Sequence, residues 1–163
     1  MKYNWWLLLI IVEQASAQIP RNNAGVFEYT NDISTENVSY SILKERARTF
    51  FNQPFLVHWT SIEDAHTGNE FTGSGYLDIH VKNHYAAKRA IPVLLRLSIE
   101  IKEGGFRYTV TQLKLSEKNT VTTFPLEERP EPVESGTYDR LLKKTHERIS
   151  FVIGWLKKYM EEE

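Results

Sequence analysis

The sequence predicts an α+β fold of order β-α-β-β-β-β-α, an antiparallel sheet with two helices packed on one face. Three observations carry this. Ile91, Val93, Leu95, Leu97, Ile99 and Ile101 alternate with Pro92, Leu94, Arg96, Ser98 and Glu100, and that period of two marks a strand with one buried face. Glu103-Gly104-Gly105 follows directly, and glycines accept the positive φ a tight hairpin needs. Two stretches, one toward each end, repeat apolar residues at spacings of three and four, the mark of helices with a single apolar stripe. Neither helix can hide its stripe alone, so both lie on the apolar sheet face and leave the other open.

The chain begins with a leader. Lys2 supplies a positive start, Trp5 to Val12 is an unbroken apolar run, and Ala15-Ser16-Ala17 places small residues where a signal peptidase reads. The run is too short for a mature membrane span. A buried helix would show polar residues at a 3.6 period, and this run shows none. Cleavage is expected before Gln18, which makes the protein exported, periplasmic or secreted, with no stable membrane insertion afterwards.

Residues 18–24 are polar, contain Pro20 and read as a short tail; residues 25–163 read as a single domain. Gly25 to Thr30 is the first strand, broken by Asn31 and Asp32. Ser34 or Thr35 caps a helix with Tyr40, Leu43, Ala47, Phe50 and Phe51 on its apolar side, and Pro54 ends it. Phe55–Ile62 and Phe71–Val81 are the next strands, joined by a polar turn with Gly68. The residues from Lys82 to Lys88 link to Ile91–Ile101, and the hairpin leads into a strand from Phe106 to about Leu115. Phe106, Tyr108 and Val110 share one face of it. The phase slips before Leu113, which predicts a bulge. Ser116–Thr137 holds Pro125, Pro130 and Pro132. A structureless loop that long is unusual, so Thr120–Phe124 is expected as a short extra edge strand. The closing helix carries Tyr138, Leu142, Thr145, Ile149, Val152, Leu156 and Tyr159, flanked by Leu141, Ile153 and Met160.

Composition narrows function mainly by exclusion. The 163 residues carry a formal charge of −1, are 41% hydrophobic and 25% charged, and include no cysteine. These are the proportions of a folded domain. The balanced charge gives no overall field for nucleic acid or polyanions. Without cysteine there is no thiol chemistry, no disulfide and no lipid anchor on a cysteine after the leader.

The local signatures resemble those of secreted bacterial proteins, mostly from Bacteroidetes-type bacteria, grouped as a domain of unknown function with a TBP-like fold. The residues that carry the resemblance are Gly25-Val-Phe-Glu-Tyr29, Ala47-Arg-Thr-Phe-Phe51, Phe71-Thr-Gly-Ser-Gly-Tyr76, the hairpin Ile99 to Thr109, and Trp155-Leu-Lys-Lys-Tyr-Met160. Ser116–Thr137 matches least. These motifs are structural. The resemblance implies the fold and carries over no catalytic residue and no cofactor.

Candidate chemistry is sparse. Asp78 and His80 share a strand face, and His84 follows in the link. Zinc needs three or four ligands at fixed geometry, and polar residues on an exposed strand face are the better account of the set. His58, Asp64 and His66 are a looser group. Ser74 in Gly73-Ser74-Gly75 lacks the spacing of a hydrolase elbow, so these glycines point to a bulge or a close strand approach. Asp78, Glu100 and Glu103 are the carboxylates a glycosidase could recruit. The open face is expected to carry His58, Tyr76, Asp78, His80, Leu94, Arg96, Ser98, Arg107 and Thr109. The expectation is a non-enzymatic domain, without metal or cofactor, that binds a protein, peptide or glycan through His58, Tyr76, Asp78, His80, Arg96, Arg107 and Thr109. The TATA-binding protein holds DNA on such a sheet with a basic surface and inserted phenylalanines; balanced charge and export argue against nucleic acid here. The rival expectation is an envelope hydrolase or metal-dependent enzyme using Asp78, His80 and His84.

Overall fold

The computed structural model describes residues 18–35, 37–53, 57–65, 68–82, 88–116, 122–131 and 133–162. The leader, Pro54 to Leu56, His66, residues 83–87 with His84, and residues 117–121 lie outside the described residues.

Six strands and two helices follow in the order β1 Tyr29–Ser34, α1 Tyr40–Phe50, β2 His58–Asp64, β3 Glu70–Lys82, β4 Lys88–Lys102, β5 Gly105–Ser116, β6 Thr123–Pro125 and α2 Ser135–Glu161. All pairing is antiparallel, with the sheet order β1-β5-β4-β3-β2. β1 and β2 are sequence neighbours at opposite edges, so the connection through α1 crosses the whole sheet. β4 is the central strand, and its alternation holds: Val93, Leu95, Leu97, Ile99 and Ile101 are buried, while Leu94, Arg96, Ser98 and Glu100 are half-exposed on the far side.

The core lies between the sheet and the two helices. Leu43, Ala47 and Phe50 of α1 and Leu141, Ile149, Val152, Leu156 and Met160 of α2 are buried with Phe71, Leu77, Leu97, Phe106 and Val110 of the sheet. The helical stripes repeat every three or four residues because one face of a 3.6-residue helix meets the sheet. Leu142 and Tyr159 sit at the edge of the α2 stripe rather than in it, packed on the core but only partly buried.

The hairpin and the bulge fall where the sequence places them. Lys102 pairs with Gly105, leaving Glu103 and Gly104 as a two-residue turn with Gly104 at φ 75°. Leu94 pairs with Lys114 and Arg96 with Thr111, so two β5 residues, Gln112 and Leu113, oppose Leu95 alone. Gln112 takes φ 55° to make that bulge. It shifts the strand's phase and returns Leu113 and Leu115 to the core. Gly73 and Gly75 serve close approach. A Cβ on Gly73 would meet the Phe51 and Trp59 rings at 2.5 and 2.9 Å, and one on Gly75 would meet the His58 carbonyl oxygen at 2.5 Å.

Four expectations are corrected. Residues 18–24 are not a loose tail: Ile19 is buried, Arg21 bridges to Phe27, and Gly25 turns the chain at φ 79°. This makes Gly25 to Glu28 part of a small loop, and the strand starts at Tyr29. Asn31 and Asp32 do not break it, because they pair with Tyr108 and Arg107 and the Asp32 side chain is held by cations. The α1 cap is Ser39, whose Oγ accepts from the Ile42 amide at 3.5 Å. Thr35 is instead tied to the hairpin by its own amide, which donates to the Gly104 carbonyl at 2.8 Å. Finally, the extra strand β6 covers Thr123–Pro125 and pairs with Lys114–Ser116, beyond the end of β1 on β5. Its partner edge is open to it because the β1 pairing stops at Val110.

Candidate functional site

The open face follows from strand parity. Side chains one position away from the core residues point outward, and register lines them up across the sheet. One row holds Asp32, Arg107, Glu100 and Glu70. The next holds Thr30, Thr109, Ser98, Thr72 and Glu63, followed by Thr111, Arg96, Ser74 and Ser61. A further row holds Lys114, Leu94, Tyr76 and His58, with Asp78 and then His80 beyond it on β3. All seven expected residues therefore share this face.

They do not form one cluster. Arg107 is committed to Asp32: its Nε and Nη2 donate to the two carboxylate oxygens at 3.0 and 2.8 Å. The hydrogen bonds from Arg107, and then from Lys102, hold the Asp32 carboxyl down at about 2. The same partnership raises the Arg107 guanidinium further. Arg96 donates to Glu63 at 3.2 Å. Thr109 and Thr72 share hydroxyl contacts with Thr30 and Ser98 at 3.3 and 2.9 Å. One end of the face is thus a self-neutralised polar lattice. At the other end the His58 and Tyr76 rings stack, with centroids 4.8 Å apart and planes at 21°. The Asp78 carboxylate lies 3.6 Å from His58 Nε2. His80 is exposed two positions further on.

The glycosidase carboxylates come apart on the same register, and of the Asp78, His80 and His84 set the last lies outside the described residues. Glu70 is the partner of Glu100, so Asp78 lies eight strand positions from Glu100, about 26 Å at 3.3 Å per residue. Glycosidase carboxylates stand roughly 5–10 Å apart, and Glu103 in the turn is farther still. Ser74 is a mid-strand residue opposite Arg96 rather than an elbow. His58 and Asp64 occupy opposite ends of β2. Among the described residues, no three His, Cys, Asp or Glu side chains gather around one point as a metal would require.

Sequence reasoning missed a second feature. Residues 20–23, residues 28–31 and Tyr108 line a surface groove of about 490 Å³. At its back the Tyr29 hydroxyl bonds His146 Nδ1 of α2 at 2.9 Å, the two rings stack, and burial raises the phenol. Glu127 accepts from the Phe27 amide at 2.6 Å. The signal was present in Ile19 and Phe27, two apolar residues flanking the Asn22–Gly25 turn.

A five-strand antiparallel path with a β6 annex, covered on one face by two helices, defines an α+β domain of the TBP-like class. Two solved structures share it. A TBP-like protein from Parabacteroides distasonis ATCC 8503 superposes with a TM-score of 0.64 at 9% identity, over 88% of this chain and 97% of its own. A DUF4468 family protein from Bacteroides ovatus ATCC 8483 superposes with a TM-score of 0.66 at 10% identity, over 91% of this chain and 93% of its own. No family model matches the sequence, and no curated protein matches it. The likeness is one of fold to domains of unknown function, described by family or fold and not by an activity, in line with the resemblance drawn from the sequence motifs.

Proposed function

We propose that the chain is an exported, non-enzymatic domain that holds a protein, peptide or glycan partner on its open sheet face. The observation that carries this is the one-sided cover: both helices pack on the same face, leaving the other to side chains from five strands. The contact is proposed at one part of that face. Arg96 and Arg107 are spent on Glu63 and Asp32. The part we assign to the partner is the Tyr76–His58 stack with the exposed Asp78 and His80, where an aromatic surface adjoins a carboxylate and an imidazole. Export rests on Lys2, the run from Trp5 to Val12 and Ala15-Ser16-Ala17.

Two measurements test the parts separately. Mass analysis of the protein made in a Gram-negative host should find Gln18 first; an intact Met1 on membrane-bound protein refutes export. Envelope extract passed over the immobilised domain should leave a species that Tyr76→Ala releases and Glu147→Ala, on the opposite side, does not. Equal retention by both variants refutes the face. A metal assay separates the enzyme reading, since stoichiometric metal lost on His80→Ala would establish it in place of this one.

A further inference from the structure

The overall charge of −1 hides a segregated strip on α2. Arg140, Lys144, Arg148, Phe151, Trp155 and Lys158 follow one another at steps of three or four, so they share one line along the helix. The four cations are exposed, Trp155 is half-buried, and Phe151 is 57% exposed, the most of any large apolar residue described. Arg148 stands over the Phe151 ring at 5.9 Å and Lys158 over the Trp155 ring at 5.8 Å. The acids nearby are Glu162, paired with Lys158 at 3.3 Å, and Glu147 and Glu161 on the adjoining solvent side. Core packing accounts for Trp155, which rests against the core, but not for Phe151 or the four cations, because the buried stripe of α2 runs through Leu141, Thr145, Ile149, Val152 and Leu156 instead.

We propose that this strip docks the domain peripherally on an anionic lipid bilayer. The strip is straight and convex, about 27 Å from Arg140 to Lys158 at 1.5 Å per residue, which suits a flat deformable surface. Its apolar residues lie between cations: Phe151 at the crest reaches the acyl boundary, the half-buried Trp155 adds the exposed part of its ring behind it, and arginine and lysine stems extend to the phosphates. An acidic protein groove would match the charges but gives no reason for Phe151 to stand at the crest. Among the described residues no helix is long and apolar enough to cross a membrane, so attachment is by the surface of α2.

The test is sedimentation with vesicles, using the chain beginning at Gln18 so that the apolar leader cannot bind lipid itself. Every core residue described lies between Ile19 and Met160, and thermal melts confirm that each variant is folded. The protein should sediment with phosphatidylcholine–phosphatidylglycerol vesicles, not with phosphatidylcholine alone, and be released by high salt. Lys144→Ala with Arg148→Ala should weaken partitioning about 25-fold, roughly fivefold per cation. Phe151→Ser should weaken it independently. No sedimentation with anionic vesicles overturns the proposal. So does binding that survives the double variant, or equal binding to heparin that is indifferent to Phe151→Ser, which would make the strip a general polyanion or acidic-protein site.

Discussion

Gly104 and Gly105 look interchangeable in the sequence, and the structure assigns them different work, so separate alanine substitutions should give unequal losses. Gly104 sits at φ 75°, and a methyl group added there would meet nothing within 4 Å. Gly104→Ala therefore costs only the left-handed backbone penalty, about 1 kcal/mol. At Gly105 a Cβ would lie 2.0 Å from the Ile33 carbonyl oxygen, against an ordinary C···O contact of about 3.3 Å. The end of β1 must then move by more than an ångström. That movement breaks the Ser34–Gly105 and Ile33–Phe106 pairing and strains the Thr35 amide bond to Gly104. At about 0.5–1.5 kcal/mol per hydrogen bond, plus the cost of overpacking, Gly105→Ala should lose about 2–4 kcal/mol. Urea unfolding reads the difference. With a common slope of about 1–3 kcal/mol per molar, Gly105→Ala should lower the midpoint about two to four times as far as Gly104→Ala. Lys102→Ala, at a half-exposed ion-pair residue, should stay within about 0.5 kcal/mol of the parent. Equal midpoints for the two glycine variants would refute the close approach of β1 to the hairpin.

Other outcomes follow from the same contacts. Leu97, 1% exposed between Gly73 and Val110, should cost about 2–5 kcal/mol as Leu97→Ala in urea unfolding; a loss well under 1 kcal/mol would mean the β4 phase is wrong. The Thr145 hydroxyl is fully buried without a hydrogen-bond partner among the described residues, so Thr145→Val should stabilise the fold by about 1 kcal/mol and raise the urea midpoint, and a lower midpoint would reveal a bond to that oxygen. Asp32 has its folded value depressed from 3.8 to about 2. Its contribution is present above the unfolded value and is lost as pH falls through the folded one. The difference in melting temperature between parent and Asp32→Asn should therefore persist near neutrality and vanish toward pH 2; a gap unchanged across that range would rule out the ion pair as its source.

What was legible in the sequence is what local chemistry decides. Ile91 to Ile101 alternates without interruption because β4 is central and buries one whole face, and Glu103-Gly104 reads as a turn because φ 75° is a backbone property. The bulge at Gln112 was readable as a lost phase between Val110 and Leu113. The misreadings lie where distant segments decide. Asn31 and Asp32 are strand breakers by propensity, yet Arg107 and Lys102, 75 and 70 positions away, hold Asp32 in an edge strand. Thr35 has the chemistry of a helix cap, but its amide is taken by Gly104 and the cap passes to Ser39. Gly73 was readable as a close approach, whereas the groups that approach it, Phe51 and Trp59, were not.

The candidate site divides in the same way. Parity alone put His58, Tyr76, Asp78, His80, Arg96, Arg107 and Thr109 on one face, because side-chain direction alternates whatever the neighbours are. Parity cannot say which of them are free. Arg96 and Arg107 looked like the natural contacts for a partner, and they are the two whose charges are matched within the sheet. A bound arginine must give up Glu63 or Asp32 before it can serve a ligand, which would cancel much of the gain. The Tyr76–His58 stack carries a lighter debt, since the His58–Asp78 contact at 3.6 Å is longer than either arginine pair and is an ion pair only when the imidazole is protonated. On the proposed reading a partner would therefore meet the β2–β3 end, while the β1–β5 end keeps the edge strand paired to the sheet.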